Sequence, residues 1–433
     1  MKSMTAQERN SMLLNDPVSS VIPKLAIPTI ISMLITNIYN MADTFFVSQL
    51  GTSASGAVGV IFSAMAIIQA VSFMIGMGAG THVSQALGAG NREKADAYAS
   101  TSFFTAFIVG VILAFFSLTN IDAVVRFLGS TETIAPYAKD YATYIFYAMP
   151  FMMCSFVMNN LLRFEGLTLY GMVGITAGGI LNIVLDPILI FGLGWGVRGA
   201  AVATVLSQAV GACWILKFLT GPKTTIKLRK EYLRVERGVI LSVLGLGISS
   251  FVMLSTESLL SISFSSSLAR YGGDIAVGAM TVITSVSQLC TLPIQGICQG
   301  GQPVMSFNFG AGKKARVKEA FRFQLTLCVG YTTLFWLLMM AVPGVVAGIF
   351  TSDAALIDYT TWAMRIYMAG ILAMGVQIAC QQSFMALGQA KVSLLLACLR
   401  KIILLIPLIF ILPHFVADKC FGVFLAEPVS DLL

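Results

Sequence analysis

Charged side chains and histidine are scarce in this sequence. Asp, Glu, Lys and Arg make up only 11% of its 433 residues, and His82 and His414 are its only histidines. Soluble proteins carry about 25% charged residues, so a water-exposed surface on all sides is excluded. So few histidines, with no cysteines or acids clustered at ligand spacing in the loops, argue against a catalytic transition-metal site.

The sequence also lacks paired cysteine motifs and a phosphate-binding loop. Its eight cysteines form no CxxC pair, and all but Cys420 lie in apolar stretches, which indicates buried free thiols rather than disulfides. The glycine-rich runs 76–80 and 88–90 have no preceding strand and no following GxxxxGKS or GxxxxGKT pattern, so they are typical of close helix packing. The net charge of +7 lies in loops rather than on one basic face, so we expect no nucleic-acid partner.

Long apolar runs dominate what is present. Hydrophobic residues make up 57% of the chain, and the mean hydropathy is +0.85. Apolar stretches of about 20 or more residues predict membrane-spanning helices. They lie near 22–48, 54–87, 95–120, 136–162, 166–192, 198–219, 238–269, 275–307, 319–350, 355–387 and 391–415. A twelfth begins near Gly422 and is cut off at Leu433, so we expect an all-α integral membrane protein of twelve spans, the last incomplete. Residues 1–17 are polar and show no signal-peptide pattern.

The two halves of the chain are duplicates. A shift of 222 residues, the separation of Gly51 and Gly273, also matches residues 88–90 with 310–312, both Gly-Ala-Gly. With six spans each, both halves keep one orientation, which predicts two six-helix bundles related by an axis along the membrane normal. We expect bundles at 1–220 and 238–433, joined by a basic linker at 221–237, with substrate bound between or within them.

Lysine and arginine are distributed unevenly between the two sides. If the N-terminus is cytoplasmic, the cytoplasmic segments carry 21 of the 27 basic residues. The other six are Arg126, Lys139, Arg198, Arg270, Arg365 and Lys419. The positive-inside rule therefore predicts a cytoplasmic N-terminus. The most basic stretch is the predicted linker, with Lys223, Lys227, Arg229, Lys230, Arg234 and Arg237.

An ionisable residue inside a span costs about 2.5–3.5 kcal/mol or more, so each acid there needs a reason. Asp43 shares one face of the first span with Thr36, Tyr39 and Asn40, at i, i+3, i+4 and i+7 spacing. Pro28 lies earlier in the same helix and permits a bend that changes the exposure of this polar face. An interhelical hydrogen bond that holds the fold is the alternative.

A second acid, Asp186, lies one turn from Asn182 in the fifth span. Two carboxylates and an amide form an oxygen cage that suits Na⁺. The same pair could hold a proton, because two neighbouring buried carboxylates disfavour double ionisation. A helix-ending cap at Asp186-Pro187 is the alternative, although Asp caps favour helix starts.

The second half lacks this acid pair. The 222-residue shift places Asp43 on Ser265 and Asp186 on Leu408, so we expect ion coupling in the first half. Glu257, in a serine-rich part of the seventh span, either attracts a cationic substrate or pairs with a glutamine of the eighth span. Arg163 and Glu165 are predicted to form an ion pair whose stems lie along the membrane.

Three stretches resemble the multidrug and toxic compound extrusion family: residues 40–51, 181–187 and 196–204. The resemblance covers essentially the whole chain, and within the family it is greatest to the bacterial multidrug-export branch. It implies a V-shaped pair of bundles in the bacterial inner membrane that export cationic drugs by alternating access. The exchange would use inward H⁺ or Na⁺ and no other cofactor. The protein would be a monomer that binds drugs and membrane lipid, and it would not be an enzyme.

The resemblance also implies site residues. The cation, H⁺ or Na⁺, would be held by Asp43, Asn182, Asp186 and Thr204, with Tyr39, Tyr141 and Asn159 around them and Pro28 at the bend. Substrate-binding candidates are Thr36, Asn40 and Glu257. Another branch of the family pairs a seventh-span Glu with an acid in the tenth span. Glu257 matches that seventh-span Glu, but the tenth span of this sequence has no acid. This absence argues against a cation site in the second half.

Two alternative functions stay open. A lipid-linked-sugar flippase of the same superfamily would share the repeats, but it should carry cationic residues in its cavity for pyrophosphate, and few Lys or Arg lie mid-span. An intramembrane enzyme would need a nucleophile with a base, or a metal cluster, in the spans, and neither is evident.

Overall fold

A computed structural model describes residues 5–221 and 224–433, and these residues form helices and connecting turns without a strand. Lys223 of the predicted linker lies outside the described residues. The first half contains α1 (Ala6–Asn15), α2 (Val18–Ser48), α3 (Thr52–Gly88), α4 (Arg92–Thr119), α5 (Ile121–Phe127), α6 (Ala135–Phe164), α7 (Thr168–Pro187) and α8 (Val197–Thr220). The second half contains α9 (Arg237–Gly310), α10 (Lys314–Ala341), α11 (Pro343–Phe350), α12 (Ala354–Tyr367), α13 (Ile371–Ala386), α14 (Ala390–Cys398), α15 (Ile406–Ile411) and α16 (Lys419–Leu432).

Shorter elements connect some of these helices. A π-helix at Ile188–Gly192 extends α7, and another at Leu399–Leu405 joins α14 to α15. Short 3₁₀ turns lie at Lys230–Tyr232, Met368–Gly370 and Leu412–His414. Several helices begin at polar caps outside the apolar runs. The Thr5 side chain and Glu8 form a capping box at the start of α1, and Asn91 caps α4.

The helix lengths follow from the membrane. Within the described residues, ten helices are long and apolar enough to cross a bilayer. One of them, the 74-residue α9, is two spans that meet at Gly273, where φ is 65°. A spanning segment must satisfy its own backbone hydrogen bonds, which a helix does. The predicted all-α membrane fold is confirmed.

The duplication is visible in the backbone. Positive φ angles occur in glycine pairs separated by the 222-residue shift: Gly51 with Gly273 (117° and 65°), Gly90 with Gly312 (76° and 73°), and Gly166 with Gly388 (83° and 76°). Left-handed conformations are readily adopted only by glycine, so both halves turn at equivalent positions. The third pair was not among the matches found in the sequence. The exact limits of the bundles and the linker stay a prediction.

The halves touch closely where α3 and α9 end. A Cβ atom on Gly88 would clash with the Phe307 carbonyl oxygen, and one on Gly310 would clash with the Gln85 carbonyl oxygen. Gly310 is the 222-residue equivalent of Gly88, and Phe307 that of Gln85, so the contact is reciprocal. The glycines therefore let two backbones meet at the symmetry axis of the molecule.

The short α1 closes this side of the protein. The buried Arg9 guanidinium lies 2.7 Å from the Glu165 carboxylate, and it also donates to the Thr225 hydroxyl at 3.1 Å. Asn308 of α9 donates to the Leu13 carbonyl oxygen at 2.9 Å. We call the side that carries α1 and the glycine contact the basic side. The predicted Arg163–Glu165 ion pair is wrong, because Glu165 pairs with Arg9.

We expect Gly88→Ala and Gly310→Ala each to destabilise the protein, because an added methyl group has no room between the two backbones. Overpacking of this kind costs about 1–3 kcal/mol. The measurement is the midpoint of thermal unfolding of the purified protein. Gly245→Ala is the matched control, since a Cβ there meets nothing within 4 Å. Equal midpoints for all three variants would contradict the close contact.

Candidate functional site

The polar face predicted on the first span forms as expected. Asp43 is buried to 3% exposure on α2, and the Tyr141 hydroxyl of α6 donates to its Oδ2 at 3.3 Å. Tyr39, one turn earlier, accepts a hydrogen bond at 3.3 Å from the Gln208 amide of α8. The face therefore contacts two other helices of the same half.

A second polar group meets it from α7 and α8. Asn182 Nδ2 donates to Asp186 Oδ1 at 3.4 Å and to the Thr204 hydroxyl at 3.5 Å. The Tyr141 phenol also lies within interaction distance of Thr204 and Asp186. The helix continues past Asp186 as a π-helix, so the helix-ending cap is wrong. Such π segments often occur at functional sites.

Three buried acceptors of this group have no donor within the described residues. They are Asp43 Oδ1, Asn182 Oδ1 and Asp186 Oδ2. The hydrogen bonds that these two carboxylates accept come from neutral groups, Tyr141 and Asn182. A buried acceptor without a partner costs about 1–3 kcal/mol, so a cation or a proton would stabilise the group. The oxygen donors suit a hard cation such as Na⁺, and no cluster of three His, Cys or acidic residues occurs in the described parts of the chain.

A cavity of about 330 Å³ opens beside these acceptors. The predicted residues in its wall are Thr36, Tyr39, Asn40, Asn159, Asn182 and Thr204. Asp43 and Asp186 lie behind this wall, at 3% and 0% exposure. The substrate candidates Thr36 and Asn40 thus line one cavity with two of the proposed cation ligands, Asn182 and Thr204. Second-half residues complete its wall: Leu254, Leu292, Gln295 and Gln299.

Pro28 lies in α2, nearer to the start of the helix than the polar face that contains Asp43. Helix α2 is continuous through Pro28, and the Ser32 hydroxyl donates to the Pro28 carbonyl oxygen at 2.8 Å. Side-chain bonds of this kind compete with the helix backbone and often accompany bends. Pro28 therefore stands where the sequence predicts a bend, in a helix that is unbroken in this conformation.

A second cavity, of about 510 Å³, lies mainly in the second half, and Glu257 is in its wall. Glu257 forms an ion pair with Lys401 rather than with a glutamine, so the predicted glutamine partner is wrong. Arg400 and Lys401 also line this cavity, from the π-helix inside the eleventh span. The expectation that few Lys or Arg lie mid-span missed them, although both stand in the apolar run 391–415.

Arg163 is a further buried cation, at 6% exposure, in the wall of the first cavity. It donates to Gln299 of the second half, to Asn160 Oδ1 at 2.6 Å and to the Met77 sulfur at 2.6 Å. Its partners are neutral, and they belong to both halves. Arg163 therefore joins the bundles, a role that its sequence position beside Glu165 did not indicate.

The MatE family model matches residues 28–188 and again residues 249–411. The two matched segments are separated by close to the 222-residue shift and cover most of the chain. The chain belongs to the multidrug and toxic compound extrusion (MatE) family. It is accordingly a multi-pass membrane transporter and not an enzyme, and the predicted family is confirmed.

Individual relatives agree with this assignment. The chain is 25% identical over 388 residues to the multidrug export protein MepA of Staphylococcus saprophyticus, covering 89% of this chain and 85% of that one. It is similar to a solved outward-facing multidrug resistance MATE transporter, with a TM-score of 0.90 and 26% identity over 98% of this chain and 94% of that one. A MATE structure in a bent conformation gives a TM-score of 0.92 and 25% identity, over the same shares.

We expect a bound cation to stabilise the protein through the acid pair of this MatE transporter. Lowering the pH from about 8.5 to about 6, or replacing choline with Na⁺, should raise the thermal unfolding midpoint, because ligands that bind the folded state stabilise it. Asp43→Asn combined with Asp186→Asn should abolish this response. The control is Asp140→Asn, which changes an exposed acid paired with Arg198. An unchanged response in the double variant would place the cation elsewhere.

Proposed function

We propose that this transporter exports organic cations in exchange for inward H⁺ or Na⁺. The observation that carries the proposal is the set of unpartnered acceptors on Asp43, Asn182 and Asp186, beside the first cavity. Each carboxylate accepts hydrogen bonds from neutral groups, so an external cation can neutralise the pair and leave again.

The position of the acid pair supports inward coupling. Asp43 lies near the end of α2, and Asp186 near the end of α7, and both helices start on the basic side. The pair is therefore closer to the opposite side, from which the driving ion would enter. One unit charge moving inward contributes about 2.3 kcal/mol per 100 mV, enough to drive a modest substrate gradient.

The exchange follows from competition for one charge. Uptake of H⁺ or Na⁺ neutralises Asp43 and Asp186, and a cationic drug in the adjoining cavity then loses its electrostatic attraction. The drug leaves outward as α2 rearranges around Pro28. Release of the ion on the basic side restores the negative charge, which favours the next drug molecule. Thr36 and Asn40 would contact the drug, with Tyr39, Tyr141, Asn159 and Thr204 holding the network.

Drugs of varied shape are supported by the cavity wall and by the relatives. Met33, Met172, Phe73 and Phe156 line the first cavity, and methionine adapts to irregular ligands. The staphylococcal relative is named a multidrug export protein. The buried cations Arg400 and Lys401 are paired with acids, so they offer no free positive charge to the pyrophosphate of a flippase substrate. Arg163 lines the first cavity with neutral partners.

We also propose that the transporter lies in a bacterial inner membrane as a monomer, with its basic side in the cytoplasm. The linker carries basic residues on that side, where Arg229 lies 2.8 Å from Asp96. Arg400 and Lys401 lie inside a span, so they do not belong among the Lys and Arg residues counted in the cytoplasmic segments. Without these two residues, the basic side still carries far more Lys and Arg than the opposite side.

Ethidium efflux tests the coupling site. We expect Asp43→Asn and Asp186→Asn each to reduce efflux by at least about tenfold, because each removes a charge on which ion and drug exchange depend. Efflux is measured in proteoliposomes under separately imposed Na⁺ and H⁺ gradients, and the gradient that drives it identifies the ion. Asp140→Asn should pump normally. If both acid variants also pump normally, the acids are structural and the proposed coupling site is wrong.

Cysteine labelling tests the orientation. We introduce a cysteine at Lys230, in the linker, or at Glu132, between α5 and α6, and treat intact cells with a membrane-impermeant maleimide. Labelling above that of the wild type is expected at position 132 only, because position 230 should face the cytoplasm. Labelling at position 230 alone would invert the proposed topology.

A further inference from the structure

One buried cation of this transporter lacks a carboxylate partner. The described parts of the chain bury four cations: Arg9, Arg163, Arg400 and Lys401. Three of the four form ion pairs with acids. No ion pair between described residues includes Arg163. A guanidinium group stays protonated in proteins, so the positive charge of Arg163 is uncompensated.

Every contact of the Arg163 guanidinium is to a neutral group. It donates to Gln299, to Asn160 Oδ1 at 2.6 Å and to the Met77 sulfur at 2.6 Å. Its Nε is buried and has no acceptor within the described residues. An unpaired charge inside a membrane is costly, so a negative group from outside the protein would be bound favourably here.

Arg163 lies close to the pseudo-two-fold axis that relates the halves. The 222-residue shift matches Met77 with Gln299, and Arg163 contacts both of these equivalent residues. It stands one residue before the end of α6, and Glu165, two residues further on, pairs with Arg9 on the basic side. The unpaired charge is therefore central in the molecule and near the basic-side end of the spans.

Helix packing at this position does not require a charge. The same shift matches Arg163 with Met385, which is 1% exposed in an apolar cluster that includes Met77 and Phe164. The Met385 sulfur accepts a hydrogen bond from the Ser250 hydroxyl at 3.2 Å. A neutral thioether thus fills the equivalent place in the second half. The guanidinium of the first half calls for a partner that packing does not supply.

The first cavity gives an anion a route to Arg163 and offers it further donors. Arg163, Gln295, Gln299, Ser155 and Thr168 all line this cavity. Gln299 accepts from Arg163 through its Oε1 atom, so its NH₂ group can donate to the same anion. Amides and hydroxyls are neutral donors, and one monovalent anion therefore balances the single guanidinium. A divalent anion would leave a net negative charge inside the membrane.

We propose that Arg163 forms an anion site at the basic-side end of the first cavity. The site takes one compact monovalent anion, either an inorganic ion such as chloride or the carboxylate of a small organic solute. The anion accepts hydrogen bonds from the guanidinium and from the Gln299 amide, and the buried positive charge is then paired. The site uses none of the residues of the acid pair, so it does not depend on the proposed function.

Thermal unfolding of the purified full-length protein in different sodium salts tests this site. The salts are isethionate, a larger sulfonate that serves as the reference, chloride and acetate, all at one pH and one Na⁺ concentration. We expect a compact anion to raise the unfolding midpoint of the wild type by at least about 2 °C, because a ligand of the folded state stabilises it. A rise in chloride would assign the site to inorganic anions, and a rise in acetate alone would assign it to carboxylates.

Four variants show whether Arg163 carries this response. Arg163→Met, which copies the residue of the second half, should lose it, whereas Arg163→Lys should keep most of it. Arg198→Met, which changes an exposed arginine, is the matched control and should respond like the wild type. Asp43→Asn combined with Asp186→Asn should also respond fully, so a failure of the proposed coupling site would not be mistaken for a failure of this one.

The same data separate anion binding from a purely structural role. If Arg163 only joins the two halves, Arg163→Met will lower the midpoint by the same amount in every salt, and the proposal is wrong. It is also wrong if neither chloride nor acetate raises the midpoint of the wild type. A response that Arg163→Met keeps and the acid-pair variant loses would overturn it as well.

Discussion

A carboxylate inside a membrane needs a positive charge or a proton beside it, and the interior of this transporter depends on how that need is met. Glu165 is paired with Arg9, and Glu427 and Asp431 share Arg400. In this conformation these acids are paired with cations of the protein itself. Asp43 and Asp186 accept hydrogen bonds from neutral groups and keep unpartnered oxygens, so their positive partner has to come from outside the protein. The proposed coupling to an ion gradient rests on this difference between the acids.

The two halves use one backbone for different chemistry. Equivalent glycines turn the chain at the same places, yet the contact between Ile35 and Gly179 in the first half is an ion pair between Glu257 and Lys401 in the second. The packing of a helix pair limits side-chain volume more than it limits charge, provided that a counter-charge is near. Duplication therefore supplied two cavities of similar position that could diverge in what they bind.

The fold and the contact between Asn182 and Asp186 were predictable because both depend on local patterns. Apolar runs of spanning length set the helices, and i, i+4 spacing placed Asn182 beside Asp186. The partners of Arg163, Glu165 and Glu257 were not predictable, because they are distant in sequence. Residues 163 and 165 are separated by about 200° around a helix, so they face different neighbours. Arg400 and Lys401 were missed although they stand in an apolar run, because their pairing with Glu427, Asp431 and Glu257 exists only after α9, the π-helix Leu399–Leu405 and α16 have packed.

The reciprocal glycine contact also bears on the origin of the molecule. Gly88 meets the carbonyl of Phe307, and Gly310 meets the carbonyl of Gln85, at positions that the repeat makes equivalent. In a pair of identical six-span chains this would be one self-complementary contact made twice, which is the defining property of a two-fold dimer interface. Because both copies keep the same membrane orientation, an ancestor encoded as a single half could have assembled as a parallel homodimer through this glycine. Fusion of the two copies then needed only a connection on the basic side, where the linker between α8 and α9 runs.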